Sequence, residues 1–174
     1  MTAGLLPIEA AYHPGLRLRF ALDGEKPFRA VFLAALGVAG YVVLVDQYFR
    51  ASLTPAYLHY WTTGTLGDRL VANLIGAMRD EIVFRGLVMT SIILTLTRLA
   101  GLRRTAPLVL AAIFAAQALN VAGDLTAQPL YAALRYLVPG IVWGCLYIRH
   151  GWTAAAGAHM LCHVFLDPVQ GVFL

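Results

Sequence analysis

Apolar residues gather in long runs along this chain, and short polar stretches separate them. The first run, "AVFLAALGVAGYVVLVDQYF" at 30–49, shows no alternation and carries one charged residue, Asp46. About 20 residues at about 1.5 Å each reach about 30 Å, which crosses a hydrocarbon layer as a helix and is too long for an ordinary strand. A second stretch runs from Leu66 to Leu99, and its first half is polar: Asp68, Arg69, Asn73, Arg79, Asp80, Glu81 and Arg85. "AGLRRTAP" ends it. A third run covers 107–122, a short loop is expected from Asp124 to Pro129, and a fourth run covers 130–148. The fifth, 152–166, should close at Asp167-Pro168. Between the first two runs, Tyr57, Tyr60 and Trp61 form an aromatic belt of the kind found at a bilayer interface. The pattern predicts an all-α, multi-pass transmembrane helix bundle of about five to six spans. The sixth arises if the long second stretch divides or is partly re-entrant. Residues 30–174 then form one domain, preceded by a cytoplasmic or membrane-surface tail at 1–29 with Pro7, Pro14, Arg17, Arg19, Lys26, Pro27 and Arg29.

Composition supports this. The 174 residues are 60% hydrophobic and 13% charged, with mean hydropathy +0.72. Soluble domains carry about 25% charged residues. The net charge of +4 comes from 13 basic and 9 acidic side chains. It forms no basic stripe interleaved with aromatics, so nucleic acid is not the expected partner. The arginines sit between apolar runs instead. With the tail inside, Arg98, Arg103, Arg104 and Arg149 also fall on the cytoplasmic side, whereas 123–129 has no basic residue and 50–65 has only Arg50. That asymmetry predicts a cytoplasmic N-terminus. Cys145 and Cys162 both lie inside apolar runs and read as buried thiols rather than a disulfide. The opening stretch lacks a basic region followed by an apolar core, so no cleavable leader is expected there.

Charge inside apolar runs is costly and usually lines a cavity or performs a task. Glu81 and Arg85 are four apart and share a helix face. An ion pair accounts for Arg85 by itself. It does not account for acid at this depth. Asp80 projects about 100° from Glu81, so the two carboxylates need not share a proton. His159, His163 and Asp167 form a stripe at i, i+4 and i+8 on one helix. Two imidazoles one turn apart can bind a metal, position a water or donate to an oxyanion. Met160 follows His159 where a zinc peptidase of the HExxH type needs glutamate. Asp167 precedes Pro168 and is expected mainly to end the helix.

"DEIVFRG" resembles the first motif, EExxxR followed by glycine, of the CPBP intramembrane proteases, the type II CAAX prenyl protease and bacteriocin-processing family. "GCLYIRHGWTAAAGAHMLCH", 144–163, is similar to the family's last stretch, where a helix carries HxxxN. The resemblance covers about 80–163 with the motifs in order. It implies a CAAX-protease-like bundle, no cofactor and no metal. It also implies a prokaryotic inner-membrane location in contact with lipid, and a membrane-associated peptide or C-terminally tailed protein as substrate. By the same resemblance Glu81, with Asp80, prepares a water, Arg85 orients the acid, His159 takes the last-motif histidine and His163 the asparagine. Two departures stand out. Asp80 replaces a glutamate, and the middle motif FxxxH reads Phe114 followed by Ala118. Gln117 and Asn120 are the nearby polar residues, and neither is a base near neutral pH.

Those departures leave several readings open. His163 takes over the missing role, or catalysis is weak, or the chain is a non-catalytic relative that acts as a scaffold or binding protein. A small transporter with Asp46, Glu81 and the histidines as a proton relay is a further alternative. No internal repeat of the transporter kind is present.

Overall fold

The computed structural model describes residues 27–99 and 106–174. The expected tail up to residue 26, and Arg103 and Arg104 of the basic turn, lie outside the described residues. Among the described residues every regular element is a helix.

Helix α1, Pro27–Tyr48, buries Ala35, Val38, Ala39, Val42, Val45 and Asp46 at helical spacing. Its opposite face exposes Phe28, Phe32, Leu33, Leu36 and Leu44. An apolar outward face of this kind marks a membrane or protein contact rather than a water-facing surface. After a short 3₁₀ turn comes α2, Pro55–Thr62, where Thr54 caps the Tyr57 N–H at 3.2 Å and Pro55 opens the first turn. Thr65 and Asp68 form a capping box that starts α3, Leu66–Asp80. The rod continues without a break through a π-helical stretch, Glu81–Met89, then α4, Thr90–Leu94, and a second π-helical stretch, Thr95–Leu99. The expected helix from Leu66 to Leu99 is thus continuous but locally widened. Such widening often accompanies functional sites. Thr90 Oγ1 donates to the Arg85 carbonyl at 2.9 Å, which supports the backbone inside it.

Helix α5 is Ala106–Asn120. The expected loop at Asp124–Pro129 is partly helical: α6 spans Ala122–Ala127, with Asp124 in its first turn, where negative charge favours the helix. Then follow α7, Pro129–Ala132, a π-helical turn, Ala133–Leu137, and α8, Val138–His150. Gly151 separates α8 from α9 at φ 91°, a conformation that L side chains rarely adopt. Helix α9, Trp152–Phe173, does not stop at Asp167 as expected. It passes through Pro168, which removes one backbone donor without ending the helix.

Helix α9 is central and packs along α1, α3 and α8. Ala154, Ala155, Ala156 and Ala158 are buried and allow this close approach. Met89, Ile93, Ile113, Trp143, Tyr147 and Leu166 fill the core around it. By length and apolarity, Pro27–Tyr48 and Pro129–His150 can each cross a bilayer, and Pro107–Asn120 is a shorter apolar helix. The other two expected spans, along Leu66–Leu99 and α9, carry the polar residues described next. Of the cysteines, Cys162 is buried as expected, but Cys145 is exposed. Helix α8 turns Gly144, Leu146 and Tyr147 inward and leaves Cys145 on the outer face.

Candidate active site

The site begins at the α3 junction. Glu81 is the first residue of the π-helical stretch and is 0% exposed; Arg85, one turn on, is 2% exposed. Arg85 Nη1 lies 3.4 Å from Glu81 Oε1, so the i,i+4 pair forms. Arg85 has further partners that its spacing could not show. Its Nη2 donates to Gln117 Oε1 at 2.8 Å and to the Gly140 carbonyl at 3.0 Å. Gln117 in turn donates from Nε2 to the Tyr136 carbonyl at 3.1 Å. Gly140 makes this possible, because a Cβ there would collide with the Gln117 side chain.

His159 completes the core of the site. Its Nδ1 lies 2.9 Å from Glu81 Oε1. An ionised carboxylate only accepts hydrogen bonds, so with Glu81 charged the ring N–H sits on Nδ1. Trp143 and His163 each stack on His159, with ring centroids 5.5 Å away in both cases. Trp152 Nε1 donates to the Glu81 carbonyl at 3.1 Å. Glu81 Oε2 is buried and makes no hydrogen bond, and neither does Arg85 Nη1 beyond its ion pair. A cavity of about 310 Å³ opens beside this group, with Asp80, Arg85, Gln117, Asn120, Gly140 and His159 among its lining residues.

Arg85, His159, Gln117 and Asn120 therefore line one cavity, and Glu81 sits fully buried behind Arg85 and His159, in contact with both. Asp80 stands at the cavity's edge, paired with Arg79 at 3.0 Å and far from sealed. His163 does not reach Glu81. It lies behind His159 with Nδ1 3.2 Å from Asp167 Oδ1. Asp167 is fully buried and accepts from Asn73 Nδ2 at 2.8 Å. Phe114 is 52% exposed, so it points away from the core and off the cavity. Helix α5 presents Gln117, not the 114/118 positions, to Arg85. Among the described residues, no group of three or more His, Cys, Asp or Glu side chains could hold a metal ion.

Sequence reasoning did not single out Asn73, Trp143, Tyr136 or Gly140 as site residues, nor Arg135. Arg135 lies in an apolar run, so the cost of intramembrane charge would have flagged it. It lines the cavity and pairs with Asp46 at 3.0 Å. Asp46 is hydrogen-bonded to Tyr57, Tyr131, Arg135 and Gln170. None of these partners is Glu81 or a histidine, so it does not extend a relay from the site.

The family model for type II CAAX prenyl endopeptidase Rce1-like proteins matches residues 62–165. No curated protein and no solved structure matches the chain.

Proposed function

The chain belongs to that membrane-embedded protease family, and on this premise we propose that it is an intramembrane endopeptidase acting on a membrane-associated or C-terminally tailed peptide or protein. The observation that carries this reading is the contact between Glu81 and His159, 2.9 Å, buried beside a polar cavity. Oε1 of Glu81 is held by His159 and Arg85. Oε2 is without a partner and is the oxygen that takes a proton from water. The hydroxide so formed adds to the carbonyl carbon of the scissile bond. The proton passes to the amide nitrogen as the C–N bond breaks, and Glu81 returns to carboxylate. His159 holds Glu81 in place and, when protonated, faces the oxyanion as a donor. Arg85 balances the buried charge and Asp80 stands at the cavity's edge. On this reading the chain is a multi-pass protein of a prokaryotic inner membrane with its N-terminus in the cytoplasm, a reading supported by the distribution of arginines between apolar runs.

A second reading, binding without turnover, is favoured by Ala118 at the position where the resemblance expects histidine. One assay separates the two: cleavage of tail-bearing candidates in membranes, with protein level followed alongside. Glu81→Gln keeps shape and removes the base, so cleavage should fall by about 10²–10⁴. Ala118→His should raise it. Wild-type cleavage by Glu81→Gln sinks the hydrolytic reading with this base. If the wild-type protein retains a tailed partner and cleaves none, the binding reading replaces it.

A further inference from the structure

Helix α9 carries a second histidine–carboxylate pair behind the first. His163 Nδ1 meets Asp167 Oδ1 at 3.2 Å, one turn along the same helix. The other oxygen, Oδ2, accepts from Asn73 Nδ2 at 2.8 Å, and Asn73 Oδ1 accepts from the Tyr60 hydroxyl at 2.8 Å. Both oxygens of Asp167 are thus engaged, from two different helices, and the carboxylate is fixed in orientation. An ionised carboxylate only accepts, so with Asp167 charged His163 presents its N–H at Nδ1. Its ring stacks on His159 at an interplanar angle of 29°, and Trp143 also stacks on His159, at 19°. His159 is therefore in contact with two rings while its own Nδ1 rests on Glu81.

We propose that Asp167, anchored by Asn73, positions the catalytic pair: it sets the tautomer and tilt of His163, and His163 holds His159 against Trp143 with Nδ1 on Glu81. Asp167 and Asn73 act through His163 and touch no substrate, so they are positioning residues. A flipped His163, with Nε2–H toward the carboxylate, would shift the surface on which His159 rests. Asp167 lies two residues beyond the family match, which ends at 165. Only the activity readout below rests on the hydrolytic reading.

The test uses protein labelled with ¹⁵N-histidine, in bilayers at neutral pH, with His163 assigned by loss of its signals in His163→Gln. The wild type should show one His163 tautomer, protonated at Nδ1. Asp167→Asn should give mixed tautomers, because an amide can donate as well as accept. It should also lower kcat with KM unchanged, by about 10- to 100-fold if the effect is on the scale of losing an outer partner of a metal-bound histidine. If Asp167→Asn does not accumulate, Asn73→Leu removes the anchor from the neighbouring helix and keeps the carboxylate. It should broaden the His163 Nδ1 signal and lower kcat less. An Nε2-protonated His163 in the wild type overturns the proposal, as does a His163 signal indifferent to both substitutions. If the wild type cleaves nothing, the hydrolytic reading fails, and the His163 tautomer still decides the positioning claim.

Discussion

Among the described residues two carboxylate–arginine pairs are buried, and they are satisfied to different degrees. Asp46 of α1 meets Arg135 at 3.0 Å and also accepts from Tyr57 at 2.9 Å, from Tyr131 at 2.8 Å and from Gln170. Both of its oxygens are occupied. Glu81 meets Arg85 at 3.4 Å and His159 at 2.9 Å through the same oxygen, and its other oxygen has no partner. Burial and ion pairing are thus shared by both regions and mark neither as reactive. Arg85 and Arg135 line the same cavity, so the difference is unused hydrogen-bonding capacity on the carboxylate itself. A saturated carboxylate joins helices. One with a free oxygen can still take a proton.

The contrast predicts opposite outcomes for matched amide substitutions. Glu81→Gln should cost about 10²–10⁴ in cleavage rate with the smaller loss of protein level, because the Glu81 contact is long at 3.4 Å and Arg85 keeps Gln117 and the Gly140 carbonyl as acceptors. Asp46→Asn should do the reverse. It leaves Arg135 facing a neutral group, and breaking a buried pair typically costs about 3–5 kcal/mol. Thermal unfolding in detergent should show the loss, and the fraction that remains folded should cleave at the wild-type rate. Slow cleavage by folded Asp46→Asn would break the comparison, because Asp46 would then belong to the working site.

A smaller effect sharpens the link between Arg85 and α5. Gln117→Leu keeps volume but removes the acceptor for Arg85 Nη2, leaving only the Gly140 carbonyl. An unmet buried donor costs about 1–3 kcal/mol. Gly140→Ala should reproduce the defect, since its Cβ would push Gln117 aside. Neither change should affect the Asp46 cluster. The measurement is thermal unfolding together with cleavage rate for each variant and for the pair combined. Strict additivity in the double variant would show that the two residues do not act through one contact.

What could be read from the chain follows from how local each signal is. The first span was legible because 30–49 is apolar apart from Asp46 and Gln47 near its end, and α1 occupies Pro27–Tyr48. Glu81 and Arg85 were legible as an i,i+4 pair. His159 and His163 were legible as one stripe on α9, though which of them meets Glu81 was not. The Asp46–Arg135 pair joins positions 89 residues apart, and no periodicity reports a contact at that separation. The π-helical stretch at Glu81–Met89 changes which side chains share a face, and composition gives no sign of it. Asp167 looked like a helix end because proline follows it. In the fold it is buried, and α9 continues past Pro168 to Phe173.

The smallest expected effect concerns the face of α5. The family resemblance places Phe114 in a motif, which would put it near the chemistry. The structure turns it outward at 52% exposure and turns Gln117 inward to 4%. Three helical positions usually lie on nearly the same side, about 300° around. Yet here the boundary between the outer and inner faces of α5 falls between them. Ala112, Ile113, Ala116 and Gln117 form the buried strip, while Leu110, Phe114 and Leu119 are exposed. Phe114→Ala therefore removes a side chain from the outer surface and leaves the cavity unchanged. Substitutions away from buried contacts usually stay within about 0.5 kcal/mol, and cleavage by this variant should match the wild type. A rate loss as large as that of Gln117→Leu, at equal protein level, would mean that Phe114 meets the substrate from the outer side. The outer face of α5 would then belong with Glu81 and His159 on the reactive side of the comparison.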